Sequence, residues 1–292
     1  MRARLLLNLA LLVTVIILVL LVSRTPDEPD TPTPRPLTDL APDNVNQIRL
    51  QRRDQEPVTL YKEQGIWYMQ QPYHLAANDY RVQALLRLLQ AEYDSAHHLE
   101  EDRDPARYGL DQPGASLTYN DSLVIEFGDT EPLSRQRYVR IDDRLYLLAD
   151  THYYHTISPA TGYLSHAPLP AGKIVALALP DLRLSLEAGQ WQAQPPQPSH
   201  SADALTELIA NWRTAQALRL EPYTQDRLPS ADIEVQLEDR ENPVRFTLQE
   251  KDGQHSLLRH DARMRYIIND ESRQQLLQLP EPIPEPQPKT RN

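Results

Sequence analysis

The chain has 292 residues, 26 prolines, eight glycines, no cysteine and a formal net charge of −11. Without cysteine there are no disulfides, no thiolate nucleophiles and no zinc–thiolate sites. Arg2, Arg4 and Arg24 contribute +3, so the remainder carries −14; so acidic a body repels nucleic acid and anionic lipid headgroups, and neither is expected as a partner.

The first element is the run Leu5 to Val22, eighteen residues of which all but Asn8 and Thr14 are apolar. As a helix rising ~1.5 Å per residue it covers about 27 Å, one hydrocarbon core. Arg2 and Arg4 precede it, and Asp27, Glu28 and Asp30 follow Arg24. Positive charge at the leading flank places the N-terminus in the cytoplasm and the bulk of the chain in the periplasm. A cleaved signal peptide is the competing reading, but its apolar core is usually ~7–15 residues with small residues at the cleavage site. Leu20-Leu21-Val22-Ser23-Arg24 offers no such site, and no cysteine follows for lipidation. The expectation is a retained single-pass anchor over residues 1–24 of an inner-membrane protein. Residues 25–42 carry Pro26, Pro29, Pro32, Pro34, Pro36 and Pro42. They read as a polyproline II spacer reaching about 55 Å at ~3.1 Å per residue, or as a docking peptide for an aromatic groove.

The body then repeats itself once, over 43–168 and 169–280. Gly65-Ile66-Trp67 and Gly189-Gln190-Trp191 each place a glycine where two short apolar runs meet, as a hairpin turn requires, and Pro72 and Pro195 end the following strands. A helix comes next in each copy. Val82, Leu85, Leu86 and Leu89 in the first, and Leu205, Leu208, Ile209 and Trp212 in the second, fall at i, i+3, i+4 and i+7. Asn78 and Ser201 are the expected N-caps. Four strands follow the helix: 116–119, 123–127, 138–141 and 145–148, then 233–237, 244–248, 256–259 and 264–268. The fold class is α+β: an N-terminal transmembrane helix followed by two repeated units, each an antiparallel β-sheet with one packed amphipathic helix. The units are expected to meet through their open sheet faces. Residues 281–292 repeat the proline pattern and read as a disordered tail.

Candidate chemistry is sparse. His152 and His155 lie three apart and would share a helical face, as metal ligands can, but no further ligand is committed to them. They read as partly exposed histidines of a connecting helix. His97-His98-Leu99-Glu100-Glu101-Asp102 reads as a solvated loop after the first helix. Tyr108-Gly109-Leu110-Asp111 reads as a tight turn. Ala171-Gly172-Lys173 lacks the first glycine and the Ser/Thr of a phosphate loop and reads as the turn between units. Arg140 with Tyr146, and Arg259 with Tyr266, recur in both copies; duplication points to folding, with the tyrosine on the sheet and the arginine pairing across strands. No catalytic, metal or cofactor-binding residue is assigned.

The anchor, Gly65-Ile66-Trp67 with Pro72, the leucine-rich helix, Tyr108-Gly109-Leu110-Asp111-Gln112-Pro113 and Tyr138-Val139-Arg140 together resemble the domain-of-unknown-function family 4340. The resemblance spans roughly residues 43–280, with Asp226-Arg227-Leu228-Pro229 replacing the Tyr-Gly-Leu-Asp element in the second copy. It implies an extracytoplasmic auxiliary part of a gliding-motility-type ABC export system, docked on a multi-spanning permease, and no catalytic residue. A cell-envelope glycan or peptidoglycan-binding module is the alternative, and an unrecognised hydrolase the third.

Overall fold

The computed structural model describes residues 14–16, 36–93, 95–99, 104–198 and 200–280. Most of the expected anchor, the proline segment before Pro36, the acidic stretch 100–103 and the tail 281–292 lie outside the described residues. Thr14–Ile16 is helical, and among the described residues no helix is long and apolar enough to cross a membrane.

The body consists of two antiparallel sheets with few helices. The first contains β1 (Gln47–Arg52), β2 (Val58–Glu63), β3 (Ile66–Gln71), β4 (Leu75–Ala76), β5 (Ser95–His98), β6 (Ala115–Tyr119), β7 (Leu123–Thr130), β8 (Arg137–Ile141) and β9 (Arg144–Leu148). The second contains β10 (Ile174–Leu179), β11 (Leu182–Glu187), β12 (Gln190–Gln194), β13 (Arg219–Pro222), β14 (Ile233–Leu237), β15 (Val244–Lys251), β16 (Gln254–Arg259) and β17 (Met264–Ile268). Their spatial orders are β4-β3-β2-β1-β6-β7-β8-β9-β5 and β12-β11-β10-β14-β15-β16-β17-β13. Apart from the short β4, the orders are the same strand for strand.

Local sequence explains the shared plan. The β2–β3 and β11–β12 hairpins close on Glu63–Ile66 and Glu187–Gln190. Gln64-Gly65 and Ala188-Gly189 in the turns all have positive φ, with the glycines at 85° and 83°. Two consecutive left-handed residues match the twist of the flanking strands, and glycine takes the second at no steric cost. Helix α1 (Asp79–Arg87), capped by Asn78 Oδ1 accepting from the Arg81 N–H at 3.2 Å, then carries the chain beneath the first sheet from the β3–β4 edge to β5 at the opposite edge. Helix α3 (Ala202–Thr214), capped by Ser201, makes the same crossing beneath the second sheet. The short helix α2 (Thr151–Tyr154) lies between the sheets in sequence.

Each sheet buries one face on its helix. Ile48, Leu50, Leu117, Tyr119, Ile125 and Phe127 meet Val82, Leu85 and Leu89, and the Tyr119 hydroxyl donates to Leu85 O at 2.7 Å. In the second sheet Leu177, Val235, Val244 and Phe246 meet Leu205, Leu208, Ile209 and Trp212, the last with its ring 5.5 Å from Phe246. The opposite faces are polar: Arg140 pairs with Glu126 at 2.6 Å on one, Arg245 with Glu234 at 2.9 Å on the other.

The sheets therefore do not meet face to face, as the sequence reading expects; the polar faces bury too little apolar area for that. They meet at their edges. Residues 163–166 pair with the β4 edge through Asn78 N–H to Tyr163 O and Ser165 N–H to Ala76 O, both 2.8 Å, around an Ala77–Leu164 bridge. On the other side the Ala217 N–H donates to His166 O at 2.9 Å, just before β13, the edge of the second sheet. The linking segment, an isolated bridge rather than a strand, thus hydrogen-bonds to the chain at both edges.

Three further features depart from expectation. The body begins at Leu37, inside the expected linker: its side chain is buried and its N–H donates to Ala91 O at 3.0 Å. The post-helix stretch containing His97 and His98 is not a loop but edge strand β5, paired with β9. Residues 270–277 form a helix, α4 (Asp270–Leu277), capped by Asn269 and held when Trp212 Nε1 donates to Leu276 O at 2.8 Å. Trp212→Ala should destabilise the protein by about 3–5 kcal/mol and release α4, whereas Tyr119→Phe should cost only about 1 kcal/mol. Chemical denaturation of both variants checks the ratio.

Candidate functional site

The residues singled out in the sequence disperse over the structure. His152 sits in α2 and His155 caps its C-terminus. Burial lowers the pKa of both, reinforced for His152 by His155 and Arg87, and for His155 by Arg81 and Arg87. A neutral pair facing two arginines is a poor seat for a cation, and among the described residues no group of three or more His, Asp or Glu could hold a metal.

The Tyr108-Gly109-Leu110-Asp111 string forms a 3-10 turn, Pro105–Tyr108, closed by Gly109 at φ 66°. Leu110 is buried, and the turn lies so close to β7 that a Cβ on Gly109 would enter the Asp129 carboxylate and one on Gly128 would strike Tyr108 O. The string packs the turn against the sheet, with Tyr108 edge-on to Tyr138 at 5.0 Å. Lys173 leads into β10 and pairs with Glu238 at 2.9 Å.

Arg140 and Arg259 are not equivalent. The β8–β9 hairpin closes on Ile141 and Arg144, the β16–β17 hairpin on Arg259 and Met264. Tyr146 and Tyr266 each stand two residues past that pair and do correspond. Arg140 lies one residue earlier in register than Arg259, and a one-residue offset reverses the face. Arg140 therefore points to the open face and pairs with Glu126, while Arg259 points inward.

Arg259 belongs to a group that the sequence reading missed as a group. Its side chain is 7% exposed. Nε and Nη2 donate to the two Asp261 oxygens at 2.7 and 2.9 Å, and Nη1 donates to Pro168 O, in the linking segment, at 3.2 Å. Burial pulls hardest against the Arg259 cation, but Asp261 and Tyr266 together outweigh it and its pKa lies above the ordinary value. Burial likewise pushes the Asp261 carboxyl up, and Arg259 outweighs this to hold it below the usual carboxylate range. Arg240 lies 3.7 Å from the same carboxylate. Arg240, Arg259 and Tyr266 form one wall of a 220 Å³ cavity. Ile66, Tyr68, His74 and Leu75 of the first sheet's edge form another, and the linking segment supplies Ser165 and Leu169. Only the tertiary structure brings these together, because the cavity exists where two sheet edges and the segment linking them meet. The one local signal was Arg259-His260-Asp261, an arginine and an acid two apart beside a turn. Ser165 Oγ accepts from the Ala167 N–H at 3.3 Å and has no histidine partner among the described residues. The cavity is equipped to bind, by charge and apolar contact, and shows no activated nucleophile.

Asp261→Asn should destabilise the protein at neutral pH by about 1–2 kcal/mol, screening at a carboxylate 44% exposed keeping the loss small. Because the folded-state pKa of Asp261 is depressed, its stabilisation is complete above about pH 4 and lost as pH falls through the lower folded value. The variant's acid unfolding curve should lack that component. For His152 and His155 the folded pKa is also lowered, so the unfolded chain binds more protons as pH drops below about 6.5 and stability falls there. A His152→Gln, His155→Gln variant should show a flatter dependence of thermal midpoint between about pH 7.5 and 5.5.

No curated protein and no solved structure matches the chain significantly. A family match covers part of the first sheet, its helix and the start of the linking segment; the second sheet, with Arg240, Arg259 and Tyr266, lies beyond it. Residues 67–161 match the family model described as Domain of unknown function (DUF4340).

Proposed function

We propose that the protein is a non-catalytic, membrane-anchored periplasmic accessory protein, an auxiliary subunit of an ABC-type export system. The observation that carries the reading is the run Leu5 to Val22, membrane-length and preceded by Arg2 and Arg4, in front of a body whose conspicuous polar groups are occupied in folding. Arg140 is taken by Glu126, and Arg52 by the carbonyls of Ser158 and Glu56. The Pro105–Tyr108 turn is packed on β7. A duplicated α+β body on a tether suits presentation of surfaces to a partner complex better than turnover of a substrate. The match over 67–161 supports the resemblance to the family, and it is the resemblance that implies a role beside a transporter.

The glycan-binding alternative draws on one feature. Tyr61 and Tyr68 stack at 5.7 Å on the open face of the first sheet, partly exposed, as a platform for a sugar ring requires.

Two measurements separate these. The full chain should remain in the membrane pellet after alkaline carbonate extraction, and deletion of residues 5–22 should release it. Crosslinking in intact membranes should recover a multi-spanning permease. Carbonate release of the full chain, or recovery of the protein alone under mild detergent, overturns the proposal. Co-sedimentation with peptidoglycan, lost in Tyr61→Ala, would favour the alternative.

A further inference from the structure

The duplicated architecture contains its own control for the junction cavity. The position closing the inner side of the last hairpin is Ile141 in the first sheet and Arg259 in the second. Both point toward the buried side, and Ile141 demonstrates that the hairpin closes on an apolar residue. A guanidinium there must be desolvated, at a cost of several kcal/mol unless it is fully paired, and apolar replacements of buried ion pairs are often neutral or stabilising. Closure of the hairpin alone does not account for Arg259, whose nitrogens are taken by Asp261 and by Pro168 O of the linking segment.

The charge of the group is also unbalanced. Asp261 is shared by Arg259 and Arg240, two cations on one carboxylate. The two arginines line the cavity and Asp261 does not, so the wall is cationic in a chain of net charge −11. Arg240 is 42% exposed and touches Asp261 only at 3.7 Å, which leaves most of its planar fork of donors unused. The facing wall is mostly apolar: Ile66, 45% exposed although large and hydrophobic, with Tyr68 and Leu75 beside His74. The volume, 220 Å³, exceeds the roughly 150 Å³ that holds a benzene ring.

We propose that this cavity is a binding site for a small organic carboxylate with an apolar body about one ring in size. Arg240 takes the carboxylate in a forked, charge-assisted pair, with Arg259 behind it supplying the field. Ile66, Tyr68 and Leu75 receive the apolar body. The site exists only when both sheet edges and the linking segment are in place, so occupancy tightens the junction. This goes beyond the accessory role and does not depend on the membrane anchor or on any permease.

The test uses the full chain in detergent, with empty micelles as the blank, and 3-phenylpropionate as the probe in ligand-observed NMR and titration calorimetry. At about −0.3 kcal/mol per heavy atom the expected Kd is on the order of millimolar. The uncharged 3-phenylpropionamide should bind at least about tenfold more weakly, the discrimination expected of one charge-assisted pair. Arg240→Ala, at an exposed position, should weaken the acid about tenfold without moving the thermal midpoint. Arg259→Ile, which copies the first sheet, should keep the fold and also lose the acid–amide discrimination. Four results would overturn the proposal: no saturable binding of the acid to the unmodified protein, equal binding of acid and amide, unchanged affinity in Arg240→Ala, or tighter binding of 2-phenylethyl phosphate than of the carboxylate. If Arg259→Ile unfolds the protein, the Arg240→Ala result decides.

Discussion

The structure depends on one linking segment hydrogen-bonded on both sides. Residues 163–166 satisfy the open edge of the first sheet at Ala76–Asn78 and, on their other side, the chain entering β13 at Ala217. An unpaired sheet edge presents a row of donors and acceptors to any passing strand. Here the chain covers two such edges with its own connection. The pairing fixes where the second sheet starts, which side of it faces the first, and the position of the cavity between them. Tyr163 reinforces the arrangement: its ring is fully buried, its hydroxyl donates to His155 O at 2.6 Å, and burial pushes its pKa up to about 12. The Arg52 guanidinium lies 5.9 Å above that ring and reaches the Ser158 carbonyl, so the segment is held before it enters the junction.

Joining at edges rather than faces has a consequence for function. The open faces carry the Arg140–Glu126 and Arg245–Glu234 pairs and are not used to join the sheets. The body thus offers several surfaces at once, with the cavity between them. In such a layout the open faces and the junction cavity are separate surfaces.

Duplication sharpens the reading of individual residues. Where the copies agree, as in the two positive-φ hairpins and the two capped helices, the residue type follows from the fold. Where they disagree, folding is a weaker explanation. Ile141 against Arg259 is the clearest such disagreement, and it falls beside the junction. The alignment by sequence placed Arg140 opposite Arg259; the longer β16–β17 turn, four residues against two, moves the register by one and reverses the face.

Much of the fold was legible in the sequence because it is written in local terms. Period-two alternation in Ile233, Val235 and Leu237, the i, i+3, i+4, i+7 stripes of the helices, the caps Asn78 and Ser201, and the hairpin glycines 65 and 189 each act over a few residues, where propensity and sterics dominate. Helix 270–277 escaped because only Leu276 of it is fully buried, leaving almost no apolar stripe; its attachment is a hydrogen bond from Trp212, more than sixty residues away. The edge strands β5 and β13 escaped because short, exposed edge strands need little apolar alternation. Which edges meet, and that Arg240, Arg259, Tyr68 and Leu75 enclose one cavity, only the tertiary structure decided. Those are contacts between residues far apart in the chain, Ala76 with Ser165, His166 with Ala217, and Tyr68 across the cavity from Arg240, set by which backbone edges were left to satisfy, and no short-range pattern encodes them.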